Sequence, residues 1–257
     1  MVVKFAFPDA REWKYIVQSL AALITEANFI ADEEGLRLRA LDPSRVAMVD
    51  LFMPREAFDE YVVEAEEGEE KVKIGVNFDE LNDVLKRGKS DDRVVLTVEE
   101  GRLKVVLSGK AERIFSLPLI DIAGEEYPTP KVEFKVLAKM LSDTLKDAMN
   151  DAKLVSDTVR FVGEEELLKL FARSDKGEVE ARFSLDAGSL LEYEVNDPPQ
   201  NASYGVDYLL DMLKKASRVS DIVTVEFSSN KPLSLSFDIT GGGVLRFFLA
   251  PRVEAEV

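Results

Sequence analysis

The sequence contains no cysteine and no histidine. Without cysteine there is no disulfide, no thiolate metal site and no thiol nucleophile. Without histidine the chain lacks the usual general base, the side chain that titrates near neutrality and the commonest metal ligand. A catalytic centre would have to be assembled from Asp, Glu, Lys, Ser or Tyr alone, so the reading is of a protein that is not an enzyme and holds neither cofactor nor metal. Long apolar runs are missing too, and a membrane-spanning helix of about 18 apolar residues is not expected. The opening MVVKFAFPDAREW lacks the basic-then-apolar layout of an export signal, which makes the cytoplasm the expected location.

What is present is a globular chain of 257 residues with 46% hydrophobic positions, enough for two domains with a core each. One segment is written twice. Residues 75–109 return as residues 205–238, and Leu81, Val84, Leu85, Lys86 and Arg87 become Leu209, Met212, Leu213, Lys214 and Lys215. Both copies read as an amphipathic helix with a basic final turn, a polar break and two strands. A period of about 130 residues is too long for a solenoid repeat, which runs about 20–50 residues, and fits two similar domains in tandem. The expected divisions are 1–117, a connector at 118–130 and 131–257. Three prolines, a glycine and three acidic residues mark that connector, PLIDIAGEEYPTP, as an exposed segment between domains. Leu119, Ile120, Ile122 and Tyr127 make it more apolar than a spacer requires.

Net charge is −16, which taken alone argues against nucleic acid, since phosphate contact needs cations. The distribution argues differently. Four helices are expected over 9–24, 77–89, 139–153 and 207–218. Charges cancel in the first three and leave one net positive in the fourth, so the acid lies in turns and strands. Charged residues reach 32%, a pattern of proteins from hot environments.

Elsewhere the pattern is one of strands. Two follow the first helix around an acidic turn at Asp32–Gly35. YVVEAEEGEEKVKIGV (61–76) reads as a hairpin with Glu66–Glu70 at its tip, and VVLTVEEGRLKVVLSG (94–109) as another. Lys110–Leu117 ends the first half. In the second half VEFKV (132–136) reads as a strand, Met140, Leu141, Leu145, Ala148 and Met149 mark a helix, and Glu178–Leu185 alternates as a strand. Each half is antiparallel strands with two helices, an α+β class. The acidic runs Glu64–Glu70 and Glu164–Glu166 read as solvated hairpin tips, because consecutive acids on a strand point to opposite faces. Gly241–Gly243 reads as a hairpin turn, since a strand and not a helix follows it. The basic helix ends have a plain reading as dipole-complementing caps; their recurrence favours a shared surface.

LDPSRVAMVDL at 41–51, GVNFDELNDVLK at 75–86, SYGVDYLLDMLKKA at 203–216 and LAPRVE at 249–254 carry a resemblance over essentially the whole chain. The sequence resembles the archaeal and eukaryotic sliding clamps, the proliferating cell nuclear antigen (PCNA) family. The resemblance implies two tandem clamp domains, each with antiparallel sheets and two helices, and three subunits closed head to tail into a ring. Its helices would line a hole around duplex DNA, bound without sequence preference. It implies a processivity factor for DNA polymerase, loaded by replication factor C, that recruits flap endonuclease, DNA ligase and repair factors through a short peptide, the PIP box. Two other readings are a clamp-like checkpoint or adaptor subunit and a carboxylate-metal DNA-processing enzyme. Homotrimer and heterotrimer with paralogous subunits are both open, and in an archaeon the ring would be nucleoid-associated.

The resemblance also assigns residues. Lys14, Lys86, Arg87, Lys146, Lys153, Lys214, Lys215 and Arg218 would face DNA, with Asp83 and Asp207 standing at family positions that are often basic. The peptide pocket would comprise Leu41, Val46, Met48, Pro232, Phe248, Ala250 and Pro251, rimmed by Ser44 and Arg45 and covered by Leu119, Ile120, Ile122 and Tyr127, with Arg252 and Val253 offering backbone for strand pairing. Lys110, Arg113 and Phe115 on one edge would meet Glu178, Glu180 and Phe183 on the other, with Arg113 and Lys110 expected opposite Glu178 and Glu180.

Overall fold

A computed structural model describes residues 2–124 and 126–253, so Glu254 of the LAPRVE signature lies outside the described residues. The chain divides into two compact units: residues 1–43, 49–127 and 238–245, and residues 44–48, 128–237 and 246–257.

In the first unit the elements run β1 (Val2–Phe7), α1 (Ala10–Ala21), β2 (Glu26–Ala31), β3 (Gly35–Leu41), β4 (Ala47–Pro54), β5 (Glu60–Glu64), β6 (Val72–Asn77), α2 (Phe78–Leu85), β7 (Arg93–Glu99), β8 (Arg102–Ser108) and β9 (Glu112–Pro118). One sheet has the order β5-β1-β7-β8-β9, and β4-β3-β2-β6 lie together in a second. The strands alternate buried and open positions, as half-buried antiparallel strands do: Val94, Leu96 and Val98 on β7, and Leu103, Val105 and Leu107 on β8, point inward. Trp13 on α1 stacks on Phe7 at 5.3 Å and on Phe29 at 6.0 Å, and Phe29 meets Phe78 of α2 at 5.5 Å. Those aromatic contacts lock both helices onto the sheets.

The second unit runs β10 (Val136–Leu141), α3 (Ser142–Val155), β11 (Thr158–Gly163), β12 (Leu168–Ser174), β13 (Gly177–Phe183), β14 (Glu192–Val195), β15 (Gln200–Gly205), α4 (Val206–Ala216), β16 (Ile222–Phe227), β17 (Leu233–Ile239) and β18 (Gly243–Leu249), save that residues 238–245 at the end of β17 and the start of β18 count with the first. Its sheet orders, β14-β10-β16-β17-β18 and β13-β12-β11-β15, reproduce those of the first unit strand for strand. Phe161 sits edge-on to Tyr204 at 5.5 Å and to Phe227 at 5.7 Å, and the buried Tyr204 hydroxyl donates to the Lys231 carbonyl at 2.7 Å. The antiparallel sheets and paired helices expected from the sequence are therefore present, and the repeat extends from one helix-hairpin segment to the whole topology.

Four expectations are corrected. Residues 61–76 are not a hairpin: β5 pairs with β1 and β6 pairs with β2, in different sheets. The acidic segment between them is a crossover, and its charge is solvated in that role as well as it would be at a tip. VEFKV is not a strand; β10 begins at Val136, where Val136, Ala138 and Met140 are buried at a two-residue period. The third helix accordingly starts at Ser142 and not at residue 139, and Met140 and Leu141 belong to β10. Apolar residues three and four apart are read equally well by a strand-to-helix junction, which is why the boundary slipped. Finally, α2 ends at Leu85, so Lys86, Arg87 and Lys89 follow the helix and are not its last turn; Lys214 and Lys215 do lie in the last turn of α4.

Candidate functional site

The candidate DNA-facing cations sit on or just beyond the four helices. Lys14 lies on α1 with its Nζ 5.0 Å from the Tyr15 ring centre. Lys86 pairs with Asp83 at 2.8 Å. On α3, Lys146 pairs with Asp143, and Lys153 bridges to Asp157 at 2.5 Å and to Asp207 of α4 at 2.9 Å. The hydrogen bonds that Lys153 donates to Asp157 and Asp207 hold its ammonium above the ordinary lysine range, and those donated by Lys146 and Lys153 hold Asp143 and Asp157 below the ordinary carboxylate range. Asp83 and Asp207, the acids at positions expected to be basic, thus neutralise neighbouring lysines. Exposed pairs of this kind contribute little to stability, so a phosphate can exchange for the carboxylate at small cost. Among the described residues Lys214 and Lys215 make no ion pair. Arg218 lies past the end of α4, near enough to Asp143 to help lower its pKa.

The two candidate joining strands each end their sheet, β9 on one side and β13 on the other. Lys110 is not part of β9, which begins at Glu112. On β9 the side chains of Arg113, Phe115 and Leu117 are half-buried while Ile114 is 61% exposed. On β13, Glu178 and Glu180 are exposed, and Phe183 is 6% exposed, packed inside its own unit. Three of the four charges expected to meet across a seam have partners nearer home. Arg113 pairs with the buried Asp92 and donates to the Arg87 carbonyl at 2.9 Å, Glu180 pairs with Arg182 at 2.6 Å, and Glu178 lies 4.0 Å from Arg173. Asp92 also accepts from the Lys89 N–H at 2.8 Å. That buried carboxylate was not singled out in the sequence, where it is one of two adjacent aspartates.

Of the candidate peptide pocket, Ser44, Arg45 and Val46 are exposed in the turn before β4, where Arg45 adopts φ 59°, and Met48 is half-buried. The Ala250 N–H donates to the Val46 carbonyl at 2.9 Å, holding the end of β18 against this turn. Ala250 and Pro251 are half-buried, as is Pro232 before β17, whereas Phe248 is 5% exposed and so belongs to the core. Arg252 already uses its backbone: its N–H donates to the Ser203 carbonyl at 2.7 Å, and its guanidinium crosses the bare Gly205 to reach Thr158 Oγ1 at 2.6 Å. Val253, 96% exposed, keeps its side chain in solvent.

In the first unit, Leu41 closes β3 half-buried, and the connector is fastened and not loose. Leu119 N–H donates to the Gly101 carbonyl at 3.3 Å and Ile120 N–H to the Gly75 carbonyl at 2.9 Å. Asn28 Nδ2 donates to the Ile122 carbonyl at 3.1 Å, Arg39 Nη1 to the Tyr127 carbonyl at 2.9 Å, and Lys71 pairs with Glu126. Leu119, Ile120 and Ile122 remain half-buried and Tyr127 is 36% exposed. Among the described residues no group of three or more acidic side chains is arranged to hold a metal, and no helix is long and apolar enough to cross a membrane.

The fold matches that of a known class. The N-terminal-domain model of proliferating cell nuclear antigen matches residues 3–125 and the C-terminal-domain model residues 129–252. The DNA polymerase sliding clamp of Thermofilum pendens is 56% identical over 98% of this chain and 100% of its own length. The crystal structure of PCNA from Thermococcus kodakaraensis superposes with a TM-score of 0.91 at 34% identity, covering 97% of this chain and 100% of that one. In the PCNA2-PCNA3 complex from Sulfolobus tokodaii the matched chain gives 0.87 at 34% identity, with 99% and 100% covered. The chain belongs to the proliferating cell nuclear antigen family. Its function is that of a DNA sliding clamp, a replication protein.

Proposed function

We propose that the chain is one arc of a closed trimeric ring that encircles duplex DNA, keeps DNA polymerase on its template and has no catalytic role of its own. The observation that carries this reading is that β9 and β13 each end a sheet, one in each unit. Unpaired edges of this length are an aggregation liability unless covered, and two different complementary edges on one subunit make a head-to-tail contact that closes. With Arg113, Glu178 and Glu180 paired within the protomer, the joint rests on backbone hydrogen bonds and on Ile114, Phe115, Leu117, Val179 and Ala181.

Within the ring, Lys14, Lys86, Arg87, Lys146, Lys153, Lys214, Lys215 and Arg218 would touch phosphates without reading bases. Partners — polymerase, the replication factor C loader, flap endonuclease and ligase — would dock a peptide on the turn 44–48, the strip 250–253 and the connector, by the helix-turn and strand-addition modes. Mass measurement in solution tests the ring. Three times 28.7 kDa, about 86 kDa, is expected for a self-sufficient homotrimer. A monomer that reaches this mass only with paralogous chains would assign it to a heterotrimer, an arrangement related to the two-chain complex of Sulfolobus tokodaii. A monomer that never assembles would overturn the reading.

A further inference from the structure

The connector lies on a seat built for it. Asn28 and Gly75 are directly opposite each other on β2 and β6, and β6 is the outermost strand on its side of the sheet. Glycine inside a strand marks a place where another backbone approaches closely. A Cβ at Gly75 would stand 2.0 Å from the Ile120 carbonyl oxygen, so only glycine admits the connector here. Its cross-strand partner Asn28 then donates to the Ile122 carbonyl, two residues on, at 3.1 Å. The far end is held by Arg39 of β3. Its Nη1 donates to the Tyr127 carbonyl at 2.9 Å, while its Nη2 is 3.1 Å from both carboxylate oxygens of Asp50 on β4. Asp50 fixes the guanidinium, and the guanidinium fixes the connector.

These bonds go to main-chain carbonyls, so they set the path of the connector whatever side chains it carries. They leave Leu119, Ile120, Ile122 and Tyr127 on a preformed ledge. We infer that Gly75, Asn28 and Arg39 are positioning residues that hold the connector in its peptide-receiving conformation and thereby set the affinity for partner peptides. This rests on the docking surface proposed above. A connector that must be ordered on binding loses affinity to that ordering, and one ordered beforehand does not.

The test uses the full chain and a fluorescent peptide with one aliphatic and two aromatic anchors on a single helical turn. Its affinity is measured by anisotropy, and hydrogen exchange is followed across residues 119–127. Gly75→Ala, Asn28→Ala and Arg39→Met should each raise exchange in 119–127 and weaken the peptide about tenfold, with oligomer mass and melting temperature held. Arg39→Lys, which keeps one cationic donor, should restore part of the affinity; a merely structural role predicts no such rescue. Val46→Glu, in the turn before β4, is the control for the docking surface itself and should abolish binding with exchange in 119–127 unchanged. If Val46→Glu abolishes binding while the three variants bind like the parent, or weaken binding with the connector still protected, the positioning role is overturned and the docking surface stands. If Val46→Glu binds normally, the docking surface is overturned. Should Gly75→Ala fail to fold, Asn28→Ala and Arg39→Met, which remove hydrogen bonds and add no clash, decide the matter.

Discussion

Asp9 fixes where the first helix begins. Its carboxylate accepts from the Arg11 N–H at 2.8 Å, the N-cap bond, and the Arg11 side chain folds back to pair with it. Hydrogen bonding by Arg11 holds the Asp9 carboxyl below its ordinary value of 3.8. A carboxylate whose pKa is depressed on folding contributes stability that is complete above the unfolded value and lost as pH falls through the folded one. Asp9→Ala should therefore cost about 1 kcal/mol near neutrality, read as a lower denaturation midpoint, and the gap to the parent should close below about pH 4. Capping of this kind was legible, because Pro-Asp before an apolar period of three and four announces a helix start. The roles of Asp92, Asn28 and Arg39 were not. Each acts through a partner 11 to 94 residues away in sequence, Arg113, Ile122, and Asp50 with Tyr127, and no local pattern encodes such a contact.

At the scale of elements, burial alternation gave the strands and three-four spacing gave the helices, while pairing stayed out of reach. Two consecutive strands joined by seven residues, β5 and β6, look like a hairpin until the rest of the chain supplies a better partner for each. β1 and β2 do so, because Phe5 opposite Tyr61 and Phe29 opposite Ile74 bury more apolar surface in two sheets than one exposed ribbon would. The open edges invite a sharper test. Along an antiparallel strand successive N–H groups point to opposite sides, so of Glu180→Pro and Ala181→Pro one removes a bond to β12 and the other a bond on the open side. Proline on the β12 side costs the protomer a ladder bond, whereas on the open side of an edge strand it is tolerated. Only the change on the open side should dissociate the oligomer to about 28.7 kDa without lowering the thermal midpoint of the protomer, a difference sedimentation and melting together resolve. Arg113→Glu separates the two partners considered for that guanidinium. Pairing with Asp92 predicts that a buried carboxylate loses its counter-charge, a cost of about 3–5 kcal/mol to the protomer; a cross-seam pair predicts loss of the trimer from an otherwise stable chain.

For the whole molecule, the issue is how a chain of net charge −16 holds a polyanion. Grip by charge would require excess cations, and three of the candidate contacts are already balanced by acids: Lys86 by Asp83, Lys146 by Asp143, Lys153 by Asp157 and Asp207. What remains is weak enough to slide, and the acid elsewhere repels DNA from other faces. Retention must then come from enclosure. Counterion release makes any electrostatic hold fall steeply with salt, by about a thousandfold or more between 50 and 200 mM for six or more phosphate contacts. A closed ring on a closed circle has no such dependence. Protein loaded onto a nicked circular plasmid should stay through gel filtration at 0.5 M NaCl, and cutting the circle once should release it within the same run. Lys214→Ala with Lys215→Ala should leave retention on the circle unchanged while lowering the salt-sensitive affinity for linear duplex severalfold. Equal loss from circle and line on raising salt would mean that charge, and not topology, holds the DNA.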